Sequence, residues 1–223
     1  MDLTLPPSVP IGAFVGAVAV GVILGVLSDR FSTRWPEHEP PEFPAGRAIG
    51  WRTVVCALFG GFAFAVLLLR FGDNILATVL FGAWFATLVV GLATDLDQRL
   101  LPDLLTLPVI PVAALYAVSG QNPLVGTDLL PAVIVAIVVP GVIYLASIPF
   151  GAGAFGMGDV KLLVGVGLMS GGIRAITGIV SGLFLAGVVL GILLVTRRIT
   201  LKSYVPYGPF LIFGAVWGIF VRG

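Results

Sequence analysis

Eight apolar runs follow one another along a chain of only 223 residues, and little can be folded from them except a bundle of membrane spans. A helix that crosses a bilayer needs roughly 20 mostly apolar residues. The runs are Ile11–Leu27, Thr53–Leu69, Ile75–Ala93, Leu104–Val118, Leu129–Phe150, Val160–Met169, Ala175–Val195 and Val205–Val221. The sixth has about ten residues, too few to cross alone, so it must tilt, lie re-entrant or continue through Gly171 and Ile173. The expected fold is therefore all-α: one polytopic integral membrane domain over residues 1–223 with about eight transmembrane helices. One connection is long and polar, residues 28–52, and Pro36, Pro40, Pro41 and Pro44 argue against a regular helix there.

Composition agrees. Hydrophobic residues make up 58% of the chain, charged residues 10%, and mean hydropathy is +1.12; a soluble domain carries about 25% charged residues. The net charge of +1 leaves no basic footprint for a nucleic-acid partner. Cys56, the sole cysteine, excludes an internal disulfide and a cysteine zinc site, and His38, the sole histidine, has no second imidazole to share a metal. The acidic, proline-containing start does not resemble a cleavable signal, and the first run reads as a retained span.

Basic residues near span ends set orientation. With eight spans, Arg30, Arg34, Arg47, Arg52, Arg99, Lys161, Arg197, Arg198 and Lys202 share one side, and Arg70, Arg174 and Arg222 the other. The first set is expected in the cytoplasm and both termini outside. The same parity puts two acids on the cytoplasmic side: Asp95 at the end of the third run and Asp159 at the start of the sixth, 64 residues apart.

Carboxylates at or near bilayer depth are costly, which marks them as functional candidates. Two brought together share a proton, because like charges in close contact do not both ionise easily. The ionised member can deprotonate a water while the protonated member donates to a scissile carbonyl, which is hydrolysis of a peptide bond without a metal. In Gly156-Met157-Gly158-Asp159 the two glycines allow unusual backbone angles and close approach of another chain. Plainer readings exist. Asp159 can simply cap the sixth helix. Asp95, Asp97, Arg99 and Asp103 can form an ordinary polar connection, with Asp95 at a helix end, Asp103 at an N-cap, and Arg99 paired with Asp95 or Asp97. Lys161 reads equally as an anchor on the positive side or as a cation beside Asp159.

Three segments together resemble the prepilin peptidases, also called type IV prepilin leader peptidases, which are integral-membrane aspartic proteases of the Gly-x-Gly-Asp class. They are Asp95-Leu-Asp-Gln-Arg-Leu-Leu-Pro-Asp-Leu-Leu-Thr-Leu-Pro108, Gly156-Met-Gly-Asp-Val-Lys-Leu-Leu163 and Val205-Pro-Tyr-Gly-Pro-Phe-Leu211, in that order. The resemblance covers residues 53–221 well and the first span loosely. It implies cleavage of a short basic leader, after glycine and before an apolar helix, at the cytoplasmic face of the inner (plasma) membrane. The substrates would be prepilins or secretion pseudopilins anchored in the bilayer. Asp95 and Asp159 would be the catalytic pair. Gly156, Gly158, Asp97, Arg99, Asp103 and Lys161 match motif positions as substrate-binding or supporting residues. No cofactor or metal is implied. Many family members carry a large loop after the first span with two Cys-x-x-Cys pairs that bind zinc, and these also N-methylate the product. Residues 28–52 contain no cysteine, so the four thiolates of such a site are missing and a peptidase without methyltransferase activity is expected.

Two other classes fit the bare pattern. A proton- or cation-coupled transporter or channel would also place Asp95 and Asp159 near broken helices, although at the midplane rather than at one face. A non-catalytic assembly subunit of a secretion machine would tolerate loss of either acid.

Overall fold

A computed structural model of the chain describes residues 5–36, 48–150, 156–198 and 207–222. Nine α-helices and no strand occur among the described residues: α1 (Ile11–Ser32), α2 (Trp51–Phe71), α3 (Ile75–Gln98), α4 (Asp103–Thr106), α5 (Val109–Val118), α6 (Leu129–Ser147), α7 (Met157–Ser170), α8 (Gly172–Val195) and α9 (Gly208–Arg222). Residues 148–150 add a 3-10 turn to α6. The protein is an all-α polytopic membrane protein. Helices α1, α2, α3, α6 and α8 are each long and apolar enough to cross a bilayer.

Several boundaries differ from the apolar runs, and three of them have a clear local reason. Helix α3 does not stop at Ala93 but carries Asp95 and Asp97 on its last turns, closed by Arg99 in a left-handed conformation (φ 56°, ψ 38°) whose N–H donates to the Asp95 carbonyl. The fourth run is divided into α4 and α5 at Leu107 and Pro108, where proline supplies no N–H for the helix ladder. The sixth segment begins earlier, at Met157, and reaches 14 residues as α7, about 21 Å at helical rise. The acidic residues Glu37, Glu39 and Glu42, His38 and the middle of the proline-rich connection lie outside the described residues, as do Val205 and Pro206.

Lipid tails provide no hydrophobic drive between helices, so close van der Waals packing must hold them together. Glycines supply it. A Cβ on Gly21 of α1 would lie 2.2 Å from the Gly60 carbonyl oxygen of α2, and one on Gly178 of α8 would lie 2.3 Å from the Gly214 carbonyl oxygen of α9. These two tight pairs flank α3, which packs against α1, α2 and α9 and buries Phe81, Phe85, Leu88 and Val89. Large apolar side chains such as Val15, Leu27, Leu115 and Phe184 point outward instead, as a surface bathed in lipid requires.

Side-chain ties mark the two ends of the bundle. At one end Asn122 donates to the Met169 carbonyl (3.0 Å), Arg174 to the Leu124 carbonyl (3.1 Å), and Arg70 to the Phe220 carbonyl. The turns α2–α3, α5–α6 and α7–α8 and the end of α9 therefore share that end. At the other, Gln98 donates to the Ser32 and Trp35 carbonyls (2.6 and 3.0 Å) and Thr53 donates to Asp29 (2.6 Å). There the end of α3 meets the starts of α7 and α9.

Candidate active site

Asp95 and Asp159 converge at this second end. Asp95 sits one turn before the close of α3 and is 5% exposed. Its Oδ2 is buried and finds no hydrogen-bond partner among the described residues, an unusual state for a carboxylate oxygen. Asp159 is half-buried on the first turn of α7, and the two carboxylates lie close enough to act on each other electrostatically. Arg99, exposed at the end of α3, adds an attractive charge to Asp95.

The Gly-x-Gly-Asp segment forms the start of α7. Gly156 is the N-cap, with ordinary extended angles (φ −73°, ψ 148°), and its backbone N–H donates to the Asp159 carboxylate. Asp159 is therefore the third residue of the helix and not its N-cap, and its carboxylate can both take the Gly156 N–H and act on Asp95. Neither Gly156 nor Gly158 adopts a positive φ, so unusual angles are not what these glycines supply. Gly158 supplies closeness: a Cβ there would meet the Leu101 Cβ at 2.8 Å and the Leu101 carbonyl oxygen at 2.9 Å. The neighbour it admits is this chain's own turn after α3.

The remaining motif residues face elsewhere. Asp97 forms an ion pair with Arg52 of α2, which also reaches the Leu96 carbonyl at 3.4 Å. Asp103 is the first residue of α4 rather than its N-cap, a position held by Pro102. Its Oδ1 lies 2.5 Å from the Lys161 Nζ, joining α4 to α7. Lys161 therefore grips Asp103. Beside this cluster runs an apolar cleft between α3, α5 and α7, lined by Trp84, Leu88, Leu101, Leu105 and Val109 with Lys161.

Two residues at this end of the bundle have no role assigned by the sequence motifs. Asp29 of α1 is 1% exposed and takes the Thr53 hydroxyl; in the sequence it lies at the start of the polar connection, where a charge does not stand out. Gly208 opens α9 directly against Asp95, where a Cβ would stand 2.6 Å from Oδ2. Among the described residues no group of three or more His, Cys, Asp or Glu side chains could hold a metal ion. What the site offers is one buried and one half-buried carboxylate, suited to taking a proton from water and giving one to a carbonyl.

The sequence profile of the type IV leader peptidase family matches residues 80–196, just over half of the chain and including both aspartates. Two curated relatives, each a "Prepilin leader peptidase/N-methyltransferase" of Burkholderia pseudomallei (strains 1026b and K96243), are 28% identical over 173 residues. The aligned part is 77% of this chain and 55% of each relative, so the chain spans about half the length of the curated relatives it matches. No solved structure matches it.

Proposed function

This chain belongs to the type IV leader peptidase family, and on that premise we propose that it is a membrane aspartic endopeptidase that removes the leader of prepilin-like precursors. The observation that carries the reading is the approach of Asp95 and Asp159, two acids from separate motifs, to each other at one end of a bundle of apolar helices. One carboxylate accepts a proton from water, and the water oxygen attacks the scissile carbonyl carbon. The other, protonated, donates to the carbonyl oxygen. The C–N bond breaks as the amine takes a proton, and the pair returns to its starting state with one proton shared.

Several features support a membrane-anchored substrate cut at the cytoplasmic face. The pair lies at the end that also carries Arg30, Arg34, Arg52, Arg99 and Lys161, as the positive-inside rule requires of a cytoplasmic side. The chain's outward-facing surface is apolar, so a substrate helix can rest beside the bundle in lipid while its basic leader stays in water. Methyl transfer is not part of this reading, since residues 28–52 hold no cysteine.

The test replaces each acid. Asp95→Asn and Asp159→Asn should each lower processing roughly a thousandfold or more, since neither amide shuttles a proton, while membrane levels stay normal. Precursor and product are separated on gels after incubation with membranes carrying each variant. Wild-type processing by either variant removes that residue from the pair.

A further inference from the structure

The third motif, around Tyr207-Gly208-Pro209, has no role in the chemistry above, yet it lies directly against Asp95. Gly208 is the first residue of α9. A Cβ there would lie 2.6 Å from Asp95 Oδ2, 2.8 Å from Cγ and 3.3 Å from Oδ1. The tightest glycines of the helix pairs face backbone: Gly21 faces Gly60, Gly25 faces Cys56, Gly178 faces Gly214 and Gly182 faces Phe210. Gly208 alone among these faces the free end of a side chain. That oxygen is also the one that is buried and has no hydrogen-bond partner among the described residues, and the positive end of the α9 dipole stands before it.

We propose that Gly208 is a positioning residue: its missing side chain leaves the space in which the Asp95 carboxylate is held toward Asp159. The proposal deepens the peptidase reading and rests on it. The physical reason is the difference between the two kinds of neighbour. A Cβ driven into a carbonyl forces helices apart. A Cβ driven into a carboxylate turns that carboxylate about its own bonds and leaves the helices where they are. Helix α3 fixes the Asp95 backbone, so the carboxylate is the part free to yield. A displacement of about 1 Å from a productive geometry lowers rate by about a hundredfold.

The experiment compares wild type, Gly208→Ala and Gly187→Ala in detergent, using a precursor with an intact basic leader and apolar helix. Gly187 has nothing within 4 Å of its Cβ position and serves as the control. Gly208→Ala should keep the wild-type membrane level and thermal unfolding, lose about a hundredfold in kcat with KM within about twofold, and show an altered pH–rate profile. Wild-type kcat and profile in Gly208→Ala overturn the proposal. So does a loss carried by KM with an unmoved profile, which would assign the residue to seating substrate. If Gly208→Ala does not accumulate, Asp95→Ala/Gly208→Ala decides: recovery supports the contact, and continued failure overturns it. Absence of cleavage by wild type would sink the peptidase reading instead.

Discussion

Leu101 crosses Gly158 at a distance that only a glycine permits, with its carbonyl oxygen 2.9 Å from where a Cβ would stand. This contact joins the turn after α3 to the start of α7, and so sets the spacing between Asp95 and Asp159. Gly158→Ala must push against backbone as well as side chain, an overpacking that costs about 1–3 kcal/mol. Processing should fall at least roughly tenfold, with thermal stability lowered in parallel. Gly156→Ala should be milder, because its Cβ would meet the Asp159 Oδ2 at 3.4 Å and the Gly158 nitrogen at 3.9 Å, both ordinary contacts. Assays of both variants in one membrane preparation check the order, and a reversed order would refute it.

Asp97→Asn and Asp103→Asn should each retain partial activity, yet differ in stability. The Asp97 side chain is 8% exposed and paired with Arg52, whereas that of Asp103 is 60% exposed beside Lys161. Weakening the first should cost about 1–3 kcal/mol; the second, an exposed pair, less than about 1 kcal/mol. Thermal unfolding in detergent measures the difference. Complete loss of cleavage by either variant at normal membrane level would mean the catalytic pair is misassigned.

A zinc chelator should leave cleavage unchanged, because the proposed chemistry uses carboxylates and water alone. Solubilised enzyme is assayed with and without chelator, alongside metal analysis. Stoichiometric metal together with chelator-sensitive cleavage would overturn the aspartic mechanism.

Substrate changes should separate leader from helix. Neutral residues in place of the leader's Lys and Arg should slow cleavage only a few-fold, since exposed charges act weakly and are screened by salt. Replacing the glycine before the cut should nearly stop it. A soluble peptide without the apolar helix, cut as fast as the anchored precursor, would exclude docking from the bilayer.

The sequence by itself determined the eight apolar segments, their helical state and the two acids worth watching. These are local properties: a run of about 20 apolar residues has few fates in a bilayer, and a charge inside one stands out from its neighbours. Tertiary structure decided the rest. Asp97 reads along the chain as part of a polar connection or as a supporting residue, and only the fold brings Arg52, 45 residues away, to pair with it. The glycine before Asp159 looks like an invitation to substrate until Leu101 is seen filling its space. Gly208 lies 113 residues from Asp95, and nothing in either segment announces their contact. Contacts of this kind depend on how helices distant in sequence cross, which is set by packing over the whole bundle.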